Sequence, residues 1–347
     1  MTPFESDIAA QADALDRLSA HYAAAGADAL DAARGLVTGA SQVVIVGMGS
    51  SRSAALPAAT AIGGCWPADV REAGELLHYG IDAIGRDALV VLVSQSGRSV
   101  ETVAVAERLQ AAGHRRTIAV TNDVASPMAS AADVVLPILA GDEATVATKT
   151  WATTFAVLDL LARTLVDASG RTSLPQDVLR GMHAVVALRH LADDAATGLA
   201  GCRALVVVGR GPTLAAADYG ALILKETAAI PAECLAGGSF RHGPLEIVGP
   251  EVGVIVLAPS GRTRELCVRL AEETAGLGSP TWLIGDDGGT LPTGTDRSWV
   301  TTLPAIDEAY APLTMSVPIQ RLAANLARGR GRTPGVLLRS QKVTDRE

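Results

Sequence analysis

The chain has 347 residues, of which 48% are hydrophobic and only 3% aromatic, so a large core is available but alanine, valine and leucine must fill it. Its formal charge of −8 argues against a surface for nucleic acid or anionic membrane, and no apolar run approaches the ~18 residues of a membrane span. The start "MTPFESDIAAQ" lacks the basic and apolar regions of a signal peptide; Cys65, Cys202, Cys234 and Cys267 lie far apart without a CxxC pair, which predicts buried thiols in a reduced cytoplasm and neither disulfides nor zinc ligands.

In chain order, alanine-rich Asp7–Leu36 predicts a helix, and "QVVIVG" (Gln42–Gly47) a buried strand followed by a helix from about Ser51 to Ile62. Further strands are expected at Ala88–Val93, Thr117–Thr121 and Asp133–Ile138, with a helix over Ser99–Ala112, a short helical turn near Pro127 and a long helix over Thr148–Ala168. The polar, glycine- and proline-bearing "SGRTSLPQD" (Ser169–Asp177) marks a linker. Alternating strands and helices imply a mostly parallel sheet covered on both faces.

The second half repeats the first. "VVIVGMGSSRSAA" (Val43–Ala55) matches "LVVVGRGPTLAAA" (Leu205–Ala217), "LVSQSGRSVE" (Leu92–Glu101) matches "VLAPSGRTRE" (Val256–Glu265), and "AVTND" (Ala119–Asp123) matches "LIGDD" (Leu283–Asp287). Three matches in register at nearly one spacing indicate two similar α/β domains in tandem.

Both copies keep the Ser–Gly–Arg turn, so its glycine and arginine serve the fold, but only the first has Ser94 and Gln95, where the second has Ala258 and Pro259. Ser94, Gln95, Ser96 and Ser99 fall between the end of a strand and the start of a helix, where backbone N–H groups and the helix dipole favour an anion. Hydroxyls and an amide add neutral donors there, which reads as a phosphate cradle; for Ser99 alone an ordinary N-cap is an equal explanation. "GMGSSRS" (Gly47–Ser53) also follows a strand, but Arg52 replaces the third glycine of a dinucleotide fingerprint and no Walker lysine follows. Ser50 and Ser51 then either cap the next helix or reach the same phosphate or the sugar it carries.

Together "SQSGRS", "GMGSSRS" and "LKETAAIPAECLAGGSFRHGP" (Leu224–Pro244) resemble the sugar isomerase (SIS) family. Within it, they are similar to the isomerase half of glutamine–fructose-6-phosphate aminotransferases and to stand-alone glucosamine-6-phosphate deaminases and fructosamine-phosphate deglycases. The resemblance implies two tandem flavodoxin-like domains, each a parallel five-stranded sheet flanked by helices, in a homodimer with a shared active site and with no metal or cofactor. On this reading residues 1–36 are an N-terminal helical segment, 37–168 the first domain, 169–184 the linker, 185–328 the second domain and 329–347 a tail that closes the site.

By the same resemblance the phosphate loop falls on Ser94, Gln95, Ser96 and Ser99, with Ser51 from the first strand–helix turn. The sugar-contacting segment falls on "TVATK" (Thr145–Lys149), with Ala147 where the synthases have serine. The proton-transfer glutamate falls on Glu226, the ring-opening histidine on His242 and the lysine at the C1–C2 end of the sugar on Lys342. The family's first lysine in this helix is replaced by Ile223, while Lys225 remains. Too few residues precede the first strand for a glutaminase domain, so glutamine-driven synthesis is not expected.

The chemistry stands beside the resemblance. Moving a proton between two sugar carbons needs a base that can take and return it, which suits a carboxylate; opening the ring needs an acid–base near neutrality, which suits histidine. Each residue also has a plainer reading: Glu226 paired with Lys225 on a solvated helix, His242 in a glycine-rich loop, Lys342 in a loose tail. A sugar-phosphate sensor is the non-enzymatic alternative, but it needs an output domain with a basic face, and none is evident. The expectation is an enzyme on an amino-sugar phosphate, with glucosamine-6-phosphate deamination ahead of deglycation or plain isomerisation.

Overall fold

The structure, a computed structural model, describes residues 1–347 apart from 145, 168–171, 289–293, 295, 345 and 347. It divides into two compact units, one of Asp13–Glu143, Lys149–Pro175 and Arg339–Glu347, the other of Met1–Ala12, Ala144–Thr148 and Gln176–Leu338.

In the first unit the apolar runs form strands because a parallel sheet buried on both faces needs no polar face. Strands β1 (Val43–Gly47), β3 (Leu89–Val93) and β4 (Thr117–Thr121) are buried at every position, flanked by the half-buried edge strands β2 (Ala68–Glu72) and β5 (Val134–Pro137). The order is β2-β1-β3-β4-β5, all parallel. One face packs Val44, Val46, Val90 and Leu92 against Leu76, Val105, Leu109 and Met128. Helix Gly49–Ile62 packs on helix Lys149–Val166, joined by a 3.0 Å hydrogen bond from Trp151 Nε1 to Ser53 Oγ.

The second unit repeats this plan. Strands β6 (Ala204–Gly209), β7 (Ala232–Ala236), β8 (Val252–Ala258), β9 (Thr281–Asp286) and β10 (Ser298–Leu303) lie in the order β10-β9-β8-β6-β7, the same topology read from the other edge. Val206, Val208, Val254 and Val256 pack against Phe240 and Leu270. Helices Leu214–Ala228 and Ala311–Gly329 also pack together, so closely that a Cβ on Gly220 would lie 2.9 Å from Ile319 Cδ1. The expected pair of five-stranded flavodoxin-like sheets is therefore present.

Three local expectations need correction. Asp7–Leu36 is not one helix but parts of three, Pro3–Ala9, Gln11–Tyr22 and Ala27–Val37. The chain turns over residues 23–26, and a Cβ on Gly26 would stand 2.7 Å from the His21 ring and 2.8 Å from Tyr22, so the turn favours glycine there. Strand β2 carries the polar sequence "ADVRE", which hides it from a search for apolar runs. Cys65 is exposed and Cys234 half-buried, so of the four cysteines only Cys202 and Cys267 are buried thiols. The linker expected over 169–184 begins outside the described residues, and from Gln176 the chain is already helical. Among the described residues no helix is long and apolar enough to cross a membrane.

Candidate active site

The first unit reverses its strand order between β1 and β3, the place where open parallel sheets bind ligands beyond the carboxyl ends of their strands. Gly47 and Val93, the last residues of these two strands, are register partners, so the turns after them emerge side by side. One carries Ser50 and Ser51, the other Ser94 to Ser99.

The second of these turns is held from within. The Ser94 hydroxyl is buried; it accepts a hydrogen bond from Gly97 N at 3.2 Å and shares another with Ser99 Oγ at 3.1 Å. Gly97 has φ +62°, and a Cβ there would lie 2.0 Å from Ser126 Oγ, so this position must be glycine. Gln95 is fixed through its backbone carbonyl, which accepts from Asn122 N at 2.9 Å and Thr121 Oγ1 at 3.2 Å, while Ser96 Oγ accepts from Arg98 N at 3.1 Å. Arg98 donates to Asp123 at 2.8 Å and, with the Ala125 N–H, holds that carboxyl below its usual range. Ser99 occupies the N-cap position of helix Val100–Ala111, yet its side chain makes no capping bond. Capping therefore does not account for it. One helical turn beyond, the Thr102 hydroxyl is buried with no hydrogen-bond partner among the described residues.

Ser50 and Ser51 open helix Gly49–Ile62, whose N-cap position is Met48. Ser51 N donates to Met48 O at 3.0 Å, and the Ser50 carbonyl accepts from Ser53 Oγ at 2.8 Å. Neither side chain caps the helix.

The matching turn of the second unit is filled by its own carboxylates. Asp286 accepts from Ser260 N at 2.7 Å, from Ser260 Oγ at 2.6 Å, from Arg264 at 2.8 Å and from Gly288 N at 3.2 Å, and its side chain is only 3% exposed. Glu308 accepts from Arg262 N at 3.3 Å. In the first repeat the residue aligned with Asp286 is Asn122, a neutral amide turned to Ala140 N and Gly141 O at 2.9 and 3.0 Å. Sequence reasoning overlooked this pair, although the aligned segments "AVTND" and "LIGDD" contain it.

In the second unit Glu226 lies in the last turn of helix Leu214–Ala228, half-buried. Burial pushes its carboxyl up to about 7, against the pull of the Lys225 ammonium. Such a group exchanges protons near neutral pH, as a general base must. Ile223 is fully buried on the same helix. His242 is exposed, at the end of the short helix Gly237–Arg241 and ahead of Gly243 with φ +115°. It makes no hydrogen bond to Glu226 among the described residues; its N–H donates to Ser239 O at 3.1 Å. Thr145 lies outside the described residues. Ala147 is half-buried, and its carbonyl accepts a 2.6 Å hydrogen bond from Tyr219, which in turn accepts one from Gln320 at 3.0 Å.

Of the tail, the stretch from Arg339 onward belongs to the first unit. Thr344 O accepts from Val100 N at 3.1 Å, which lays the tail on the first turn of the helix after the cradle. Lys342 Nζ donates to Glu143 Oε2 at 3.2 Å and to the Glu143 carbonyl. Glu143 was not singled out from the sequence, where a lone glutamate among loop residues carries no signal.

The family model described as "SIS domain" matches residues 36–163 and 198–327. The glutamine--fructose-6-phosphate aminotransferase [isomerizing] of Zymomonas mobilis is 33% identical over 271 residues, covering 75% of this chain and 44% of that protein. Its namesake from Pyrococcus horikoshii is 32% identical over 301 residues, covering 84% and 50%. The chain thus spans half the length or less of these relatives. The C-terminal domain of glucosamine-fructose-6-phosphate aminotransferase from Francisella tularensis superimposes with a TM-score of 0.82 at 23% identity, over 96% of this chain and 98% of that one. Glucosamine-6-phosphate deaminase from Thermotoga maritima gives 0.76 at 20% identity over 99% of each chain. These two structural likenesses establish the fold.

Proposed function

The chain belongs to the SIS domain family, and we propose that it is a phosphosugar isomerase that deaminates an amino-sugar phosphate, converting glucosamine-6-phosphate and water to fructose-6-phosphate and ammonia. The observation that carries the reading is the half-buried Glu226 carboxyl held near neutrality. In this scheme the phosphate rests on Ser94, Gln95, Ser96 and Ser99, with Ser50 and Ser51 from the neighbouring turn, and the sugar lies along Ala147. His242 moves the proton that opens the ring. Glu226 takes the proton from C2 of the open-chain aldehyde and returns it to C1, while a proton passes from the amine to O1, which leaves an imine at C2. Water adds to that imine and ammonia departs. Lys342 donates to the C1–C2 end of the open chain.

Ile223, buried where the relatives' motif has a lysine, removes one site cation. The test therefore includes other sugars: amino-sugar, glycated-amine and plain aldose phosphates are screened while ammonia, released amine and ketose phosphate are all measured. Ammonia and ketose phosphate in equal amounts from glucosamine-6-phosphate are expected. Turnover of a plain aldose phosphate alone would replace deamination by simple isomerisation.

The exposure of His242 supports a shared site in a homodimer, where it completes the pocket of a second copy. Mixing Glu226→Gln subunits with His242→Ala subunits should then restore activity well above either parent. Failure to recover any would remove the shared site from the account.

A further inference from the structure

We propose that Glu143 is a positioning residue that sets the Lys342 amine for the open-chain sugar. The inference rests on the reading above, in which Lys342 meets the substrate. The Glu143 side chain is 0% exposed, whereas that of Lys342 is 28% exposed. The pair is therefore anchored at its buried end, and the lysine reaches inward to it from the tail.

The anchor is itself fixed. Glu143 Oε1 accepts from Thr150 N at 3.1 Å and Oε2 from Thr150 Oγ1 at 2.6 Å, both in the first turn of helix Lys149–Val166, whose dipole favours a negative charge. An ammonium has three N–H donors. Glu143 takes two of them, one through Oε2 and one through its carbonyl. Among the described residues no acceptor meets the third, which remains for a ligand oxygen. A flexible tail lysine with no such clamp would lose far more rotamer freedom when the sugar binds. The bond from Val100 N to Thr344 O holds the tail on the other side of the lysine.

Glu143 also supports the start of a helix, so the test must separate the two roles. A double-mutant cycle of Glu143→Gln and Lys342→Ala in the full chain, assayed by exchange of the substrate C2 hydrogen with solvent, does so. Glu143→Gln should lower kcat ~10-fold or more with KM little changed, since the phosphate is held elsewhere. In the Lys342→Ala background it should cost nothing further. Independently of any substrate, amide hydrogen exchange over residues 339–344 should speed up in Glu143→Gln. Should that variant not fold, Lys342→Met must show the same faster tail exchange, because it breaks the clamp from the exposed side.

Additive losses in the double variant or unchanged tail exchange would overturn the proposal. If Lys342→Ala is inactive while Glu143→Gln turns over normally, this proposal alone falls. If Lys342→Ala turns over like the parent, the assignment of Lys342 falls with it.

Discussion

Asn122 and Asp286 stand at the same place in the two repeats, one a neutral amide and the other a buried carboxylate that fills its turn. Asp286 takes up the Ser260 and Arg264 donors that an incoming anion would need. Asn122 instead bonds Ala140 and Gly141 and adds no carboxylate to the serine turn, where the neighbouring Asp123 is already paired with Arg98. A sugar phosphate should therefore bind the first turn only. Asn122→Asp should weaken it ~10-fold or more, because a like charge is brought to the phosphate. Titration calorimetry checks this, and equal affinity for the parent and the variant would refute the cradle.

The Glu226 carboxyl predicts a pH dependence of stability with a definite sign. Its folded value, about 7, lies above its ordinary 4.5. Between those values the folded state keeps a proton that the unfolded state has lost, so this group's contribution falls as pH rises through the window. Its favourable part is fully present below 4.5 and gone above 7. Glu226→Gln, which cannot ionise, should be the more stable protein at pH 8 by about 1–3 kcal/mol, with little difference near pH 4.5. Denaturant melts at the two pH values decide it, and parallel pH profiles would show that the carboxyl is not shifted.

Gly97 holds the cradle by a conformation that other residues reach only with strain. At φ +62° and with Ser126 Oγ 2.0 Å from where a Cβ would stand, Gly97→Ala should cost about 2–4 kcal/mol and weaken phosphate binding. Thermal unfolding with and without inorganic phosphate measures both effects. A variant as stable as the parent would mean that the loop can move aside.

Much of the fold was legible because its strands are continuous apolar runs and the repeat places them twice. What escaped was set by polar or single residues. β2 is a half-buried edge strand with a charged sequence, so the apolar signal that marks β1 and β3 is absent. Gly26 breaks the N-terminal helix through close packing against His21 and Tyr22, which a helical pattern does not disclose. The serine turn showed itself by its difference from its own copy, a signal that needs no structure. The Glu143–Lys342 pair joins residues far apart in sequence, and only the folded tail brings them together.

The central claim is that Glu226 moves the proton between C2 and C1. Glu226→Gln keeps the size of the side chain and leaves the Ser94–Ser99 turn untouched, so KM for the sugar phosphate should hardly change. Turnover should fall by ~10²-fold or more, the scale of a lost general base. The most direct measurement is exchange of the substrate C2 hydrogen with solvent deuterium, followed by NMR beside ammonia release in the parent and the variant. The account predicts that exchange and ammonia release fall together in Glu226→Gln; undiminished exchange in that variant would contradict it and place the base on another residue.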